Sequence, residues 1–184
     1  MGGISGFLLF KILMHCTIQT SKTMNLRNAT VDDLVSINAI ERVCFPPNEA
    51  ASLASLTKRL QVFPNHFWVL EHEGEIIGFI NGMVTNNKTI KDNMFANADL
   101  HDENGEWQSV FGLAVSPACR KNGYAGKLIN HLIEKSKEQN RKGVILTCKA
   151  YLIPYYHKFG LEDSGISASV HGGEVWHDMT LRFQ

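Results

Sequence analysis

The stretch CRKNGYAGKL, Cys119 to Leu128, sets two glycines and three cations where an apolar run, SVFGLAV from Ser109 to Val115, gives way to a helical pattern. A helix N-terminus carries unpaired backbone N–H groups and the positive end of the helix dipole, and small residues let an anion approach them. That chemistry suits a phosphate or a pyrophosphate. Two common phosphate motifs fail on counting. A P-loop needs Gly at 121 and Ser or Thr at 128, where the chain has Lys121 and Leu128. A dinucleotide fingerprint starting at Gly123 needs Gly at 125 and 128, where the chain has Ala125 and Leu128. What remains is Arg120-x-x-Gly123-x-Ala125-Gly126. It reads either as an anion loop or as a helix start whose glycines serve close packing.

A second group of reactive side chains lies downstream in CKAYLIPYYHKFGLEDSG. Its Tyr151, Tyr155, Tyr156 and Phe159 suit a plain aromatic core. Cys148 ends an apolar run with no histidine at a relay spacing, which favours a structural thiol over a nucleophile. The cysteines at 16, 44, 119 and 148 form no CxxC pair and no ligand spacing with the eight histidines. No metal site and no disulfide framework is expected, and the thiols read as those of a reduced, cytoplasmic protein. With 18 basic and 18 acidic residues the chain has no excess charge to grip nucleic acid without regard to sequence.

These residues need a scaffold, and 184 residues suffice for one domain. The apolar segment Gly6 to Met14 lacks a basic flank and a cleavage site and is too short to span a bilayer. Residues 1–23 are therefore read as an extension outside the domain, which occupies 24–184, with no membrane role. A helix is expected after Thr30, which forms a capping pair with Asp33, and it should end before Pro46 and Pro47. Leu53, Leu56 and Leu60 mark a second helix. Two β-rich runs joined at Glu73-Gly74 read as a hairpin, and the polar run Thr85 to Glu106 as a long functional or mobile loop. WQSVFGLAV is expected to be one buried strand, Tyr124 to Asn140 a helix, and GVILTC a buried strand. Together they make a βαβ unit. A short helix near Pro154 to Lys158 and strands near 161–170 and 174–183 complete the pattern.

In order and motif the chain resembles the GCN5-related N-acetyltransferase superfamily. Arg120, Gly123 and Ala125 match its Gln/Arg-x-x-Gly-x-Gly/Ala loop, and PYYHKFGL is similar to its Pro-Phe/Tyr-Tyr-x-x-Phe-Gly-Phe/Leu stretch, most of all in the arylalkylamine branch and its microbial relatives. The resemblance implies an α/β fold: a mixed, bent sheet of six to seven strands with helices on both faces. It implies acetyl-CoA as donor, bound by Leu113, Ala114, Val115 and the loop Arg120, Lys121, Asn122, Gly123, Tyr124, Ala125, Gly126 and Lys127, with Tyr156 as general acid. The acceptor expected is a primary amine on a small molecule, an arylalkylamine or a polyamine-like amine, with a homodimer as the assembly entertained; a protein's N-terminal or lysine amine and a non-catalytic CoA-binding regulator are the alternatives. Phe45, Pro46 and Glu49 stand in place of that branch's substrate loop, with Ser109 and Phe111 also facing the acceptor. The branch's two histidines fall at Ser109 and Phe111, neither of which accepts a proton at neutral pH. The base then falls to Glu41, Glu49 or His101, with His66, His157, His171 and His177 read as structural.

Overall fold

A computed structural model describes residues 23–184; the reading of residues 1–22 as an extension lies outside it. The chain opens with β1 (Met24–Asn28). Thr30 and Asp33 form the expected capping box, with the Thr30 N–H donating to Asp33 Oδ2 at 2.7 Å, and a short 3-10 turn leads into α1 (Leu34–Cys44). The Asp33 carboxylate thus satisfies the Thr30 N–H and hydroxyl, which fixes where the helix starts. After Pro46 and Pro47 comes α2 (Leu53–Val62), capped by Ser52. Next follow β2 (Phe67–His72) and β3 (Glu75–Asn81), joined through Glu73 and Gly74 at φ of 55° and 85°. Two successive left-handed residues make the hairpin turn that suits strand twist.

The polar run is less open than its composition suggests. It holds β4 (Val84–Thr85) and α3 (Asp92–Ala96), around a buried Ile90 and Met94. Two apolar anchors are enough to fold the segment back. Then come β5 (Trp107–Val110), β6 (Gly112–Val115), α4 (Tyr124–Glu138), β7 (Gly143–Cys148), α5 (Ile153–His157), β8 (Glu162–Ile166) and β9 (His177–Arg182).

The strands form two ladders, β1-β2-β3-β6 and β4-β5-β7-β9-β8. WQSVFGLAV is thus two strands rather than one. Trp107–Val110 runs parallel to Gly143–Leu146, whereas Gly112–Val115 runs antiparallel to Gly78–Asn81. The break falls at Phe111, whose N–H donates to Asn81 O at 2.7 Å. With this split and the two-residue β4, the mixed sheet has nine strand segments among the described residues.

Helices cover both faces. Leu128, Ile129, Leu132 and Ile133 of α4 recur at helical spacing and pack on Trp68, Leu70, Ile80 and Val144. On the other face Ile37 and Ile40 of α1 and Leu56 and Leu60 of α2 meet Phe67, Val69 and Phe79. Fully burying each such side chain contributes about 1.5–3 kcal/mol.

Candidate active site

The split at Phe111 creates the site. Past Leu146, β7 is paired only with β9, and β6 lies at the edge of its own ladder. The two arms part like a V. An edge strand presents unpaired N–H and C=O groups, so the inner side of β6 offers backbone donors to whatever enters the gap. At its mouth lies a cavity of about 320 Å³, reached by Val110, Phe111 and Leu113 from one arm and Leu146, Thr147 and Cys148 from the other.

Glu41 enters this cavity from α1. It is 5% exposed, and its Oε1 accepts the Ala51 N–H at 2.6 Å. Burial pushes its pKa above the ordinary carboxylate value, against the pull of that hydrogen bond and of Arg59. Oε2 faces β6 at Gly112, where a Cβ would lie 4.0 Å from it and 3.2 Å from the Asn81 amide nitrogen. Glycine at 112 thus spares Asn81 and Phe79, 3.3 Å away, rather than the carboxylate, which a Cβ would only touch. The Asn81 Nδ2 is itself buried without a partner.

Across the cavity stands Tyr156, carried by α5 and buried. Burial raises its pKa well above that of a free phenol, so it holds its proton through the physiological range. Phe45, Glu49, Phe111 and Leu113 also line the cavity. Pro46 does not: it is exposed, and its carbonyl accepts the N–H groups of Glu49 and Ala50 to shape the turn. Ser109 is sealed under the sheet, donating to Met83 O at 2.7 Å, because its strand face points away from the gap. Ala114 packs against α1 and α2 and Val115 against α4, so at these two positions the backbone alone remains for a ligand.

The opening motif forms the turn entering α4. Lys121 and Gly123 have φ of 65° and 77°, and Gly123 is the N-cap with no side-chain cap bond. The open first turn, with Tyr124 and Ala125 at its start, leaves its N–H groups for an anion. Gly123 has nothing within 4 Å of a built Cβ, so its glycine answers to the backbone angle. At Gly126 a Cβ would meet Phe159 at 3.4 Å, an ordinary contact. Asn122 ties the turn by donating to Cys119 O and Arg120 O. The Arg120 guanidinium turns back toward Val115 O (3.2 Å) and Cys44 Sγ (3.3 Å), bracing the end of β6. Lys121 and Lys127 are exposed at the turn.

Two expectations about histidines change. His101 lies outside this cavity, and its Nδ1 accepts the Val84 N–H at 3.1 Å, so its proton sits on Nε2, 3.1 Å from Glu103. It is a donor there and not a base. His171 does line the cavity, stacked on Phe95 at 4.7 Å with Nε2 3.1 Å from Glu49 O. Sequence reasoning missed Arg59, which lies deep in the cavity wall and is treated below.

A mixed sheet split into a V, with an open helix N-terminus beside it and a cavity at its mouth, defines an acyl-CoA-dependent acyltransferase fold. A model of the acetyltransferase (GNAT) family matches residues 34–161, and the chain belongs to that family. It is 26% identical over 148 residues to YhcX of Bacillus subtilis, described as a probable hydrolase, covering 77% of this chain and 28% of that protein. It is 24% identical over 164 residues to YkwB of Bacillus subtilis, described as an uncharacterized N-acetyltransferase, covering 79% of this chain and 68% of YkwB. The chain thus spans under a third of YhcX and about two-thirds of YkwB. In fold it is similar to the loading GNATL domain of CurA from Lyngbya majuscula, with a TM-score of 0.77 at 16% identity over 87% of this chain and 98% of that one.

Proposed function

We propose that the chain moves an acetyl group from acetyl-CoA directly to a primary amine of a small molecule. The observation that carries this is that Glu41 and Tyr156 face one cavity at the open mouth of the V. In this reading the pyrophosphate sits on the N–H groups that open α4, and the thioester lies along β6, whose edge donors polarise its carbonyl. The amine nitrogen attacks that carbon, Glu41 takes the proton the nitrogen gives up, and the C–S bond breaks as Tyr156 hands its proton to the departing sulfur. The raised pKa of Glu41 moves a carboxylate toward the working pH of a base, and that of Tyr156 keeps an acid loaded. Cys148 stays outside the chemistry, since burial pushes its thiol up to about 11.

A small acceptor is favoured over a polypeptide by the segment 167–174, which brings His171 to the cavity wall and is tied down on both flanks. Asp92 accepts Ser169 Oγ at 2.5 Å and the Val170 N–H at 3.1 Å on one flank, and Asn48 Nδ2 donates to Gly172 O at 2.5 Å on the other. We place the reaction in the cytoplasm, in keeping with Cys44, Cys119 and Cys148 being free thiols.

Release of free thiol from acetyl-CoA with a panel of amines tests the proposal. Turnover above hydrolysis with small amines supports it. Turnover only with peptides, or none with any amine, refutes it.

A further inference from the structure

Arg59 is 5% exposed, lines the cavity, and has no carboxylate oxygen within 4.0 Å among the described residues. Its contacts are neutral: Nη1 donates to Asn81 Oδ1 at 3.3 Å, Nη2 to Phe95 O at 3.1 Å, and the guanidinium lies over the Phe111 ring at 5.0 Å. A guanidinium has five N–H donors and a charge that is expensive to bury unpaired. Burial pulls its pKa down to about 10, which measures that strain. The opposite charge nearest in kind is Glu41, whose Oε2 is also open; the two feel each other without touching.

The other charged groups of the cavity are already matched. Glu49 Oε1 holds Lys149 Nζ at 2.6 Å, and both oxygens of Asp92 are taken by Ser169 and Val170. One open anion and one open cation therefore remain, separated in a cavity walled by Phe45, Phe95, Phe111 and Trp176. An acceptor that carries its own carboxylate close to its amine completes both.

We propose that the acceptor is an amino acid or a close analogue, its amine directed to Glu41 and its carboxylate held by Arg59. This rests on the acetyl-transfer reading and narrows its acceptor. The carboxylate lies off the line of attack and orients the amine, so Arg59 acts on specificity and not on the bonds that change. Aromatic walls favour an apolar or aromatic side chain over a second charged group.

The test uses pairs that differ only in the carboxylate, phenylalanine with phenethylamine and tryptophan with tryptamine. Affinity is measured by calorimetry on the CoA-loaded protein, and kcat/KM by thiol release. Wild type should favour the carboxylate member at least tenfold in both, and Arg59→Met should bring each ratio near one. Arg59→Lys, which keeps the charge and loses the fork, should fall between and guards against a Met variant that does not fold. Equal or tighter binding of the decarboxylated member by wild type, no binding of either, or an unchanged ratio in a folded Arg59 variant overturns the proposal. Failure of acetyl transfer itself is distinct: thiol release is absent while the binding preference for the carboxylate persists.

Discussion

Arg59 and Arg141 are both buried guanidinium groups close to a glutamate, and they do opposite things. Arg141, 9% exposed, has its charge matched: Nη1 donates to Glu103 O and Gly105 O at 2.6 and 2.8 Å, and Nη2 pairs with Glu103 Oε1 at 3.0 Å, while Nε is buried without a partner. The same carboxylate takes His101 Nε2 and lies 3.0 Å from His66 Nε2, while His66 Nδ1 donates to Gln108 Oε1 at 2.7 Å. Gln108 is itself oriented by Nε2 donating to Gly82 O and Ser109 O. His66, His101 and Glu103 converge closely enough to suggest a metal centre, with ligand atoms within 4.8 Å. The Val84 N–H on His101 Nδ1 leaves that ring's proton on Nε2, the nitrogen that faces Glu103. The cluster's bonds to Arg141, Gln108 and the Val84 N–H make a knot that fastens residues 101–108 to the sheet. Around Arg59 the same residue types are left unfinished. Charges that close on themselves build the fold, and charges left open mark where a ligand belongs.

Removing the acid from the open cluster should have the largest effect. Tyr156→Phe is expected to lower kcat by about 10²–10⁴-fold with a folded protein, the range for losing a general acid. Steady-state thiol release across pH checks it, and a wild-type rate would assign Tyr156 to the core. In the closed cluster the loss should appear as stability. His66→Ala is expected to cost about 3 kcal/mol in urea unfolding, from the cavity left and the orphaned Gln108 acceptor, with the acceptor ratio of the folded fraction unchanged. A shifted acceptor ratio would join the two clusters and break the comparison. Gly123→Val must adopt a positive φ of 77°, a strain of about 1–2 kcal/mol, and should weaken acetyl-CoA binding about tenfold by calorimetry.

The smallest effect separates activity from stability at Glu41. Its folded pKa is raised above the unfolded value, so its contribution to stability is complete below the unfolded pKa and is lost as pH rises through the folded one. Glu41→Gln should therefore melt at or slightly above the wild-type temperature at pH 7, and lose that advantage near pH 4. His66 and Glu103 run the other way. Both pKa values are lowered, so the knot loses stability as pH falls through about 6.5 for His66 and then through the Glu103 range.

Much of the scaffold was readable where one residue type dictates one geometry. Thr30 with Asp33, Glu73 with Gly74 and the leucines of α2 and α4 each specified a cap, a turn or a face. The break at Phe111 was not, since both halves of WQSVFGLAV are largely buried and read as one continuous strand. Tyr156 and the α4 turn came from motif, whereas Pro46 and Ser109 were misplaced because a one-residue change of strand or turn face decides what a side chain meets. Arg59 had a signal that went unused. It lies three residues after Leu56 and one before Leu60, on the apolar face of α2, where a cation has no reason to sit unless something answers it.

The central claim, that Glu41 takes the amine's proton in the open cluster, is tested most directly by the pH dependence of kcat/KM in wild type and Glu41→Gln. The wild-type plot of log kcat/KM should steepen by one unit below a pKa raised above 4.5. Glu41→Gln should lose rate throughout and lack that extra slope. A Glu41→Gln enzyme with the wild-type rate and the wild-type slope would contradict the account.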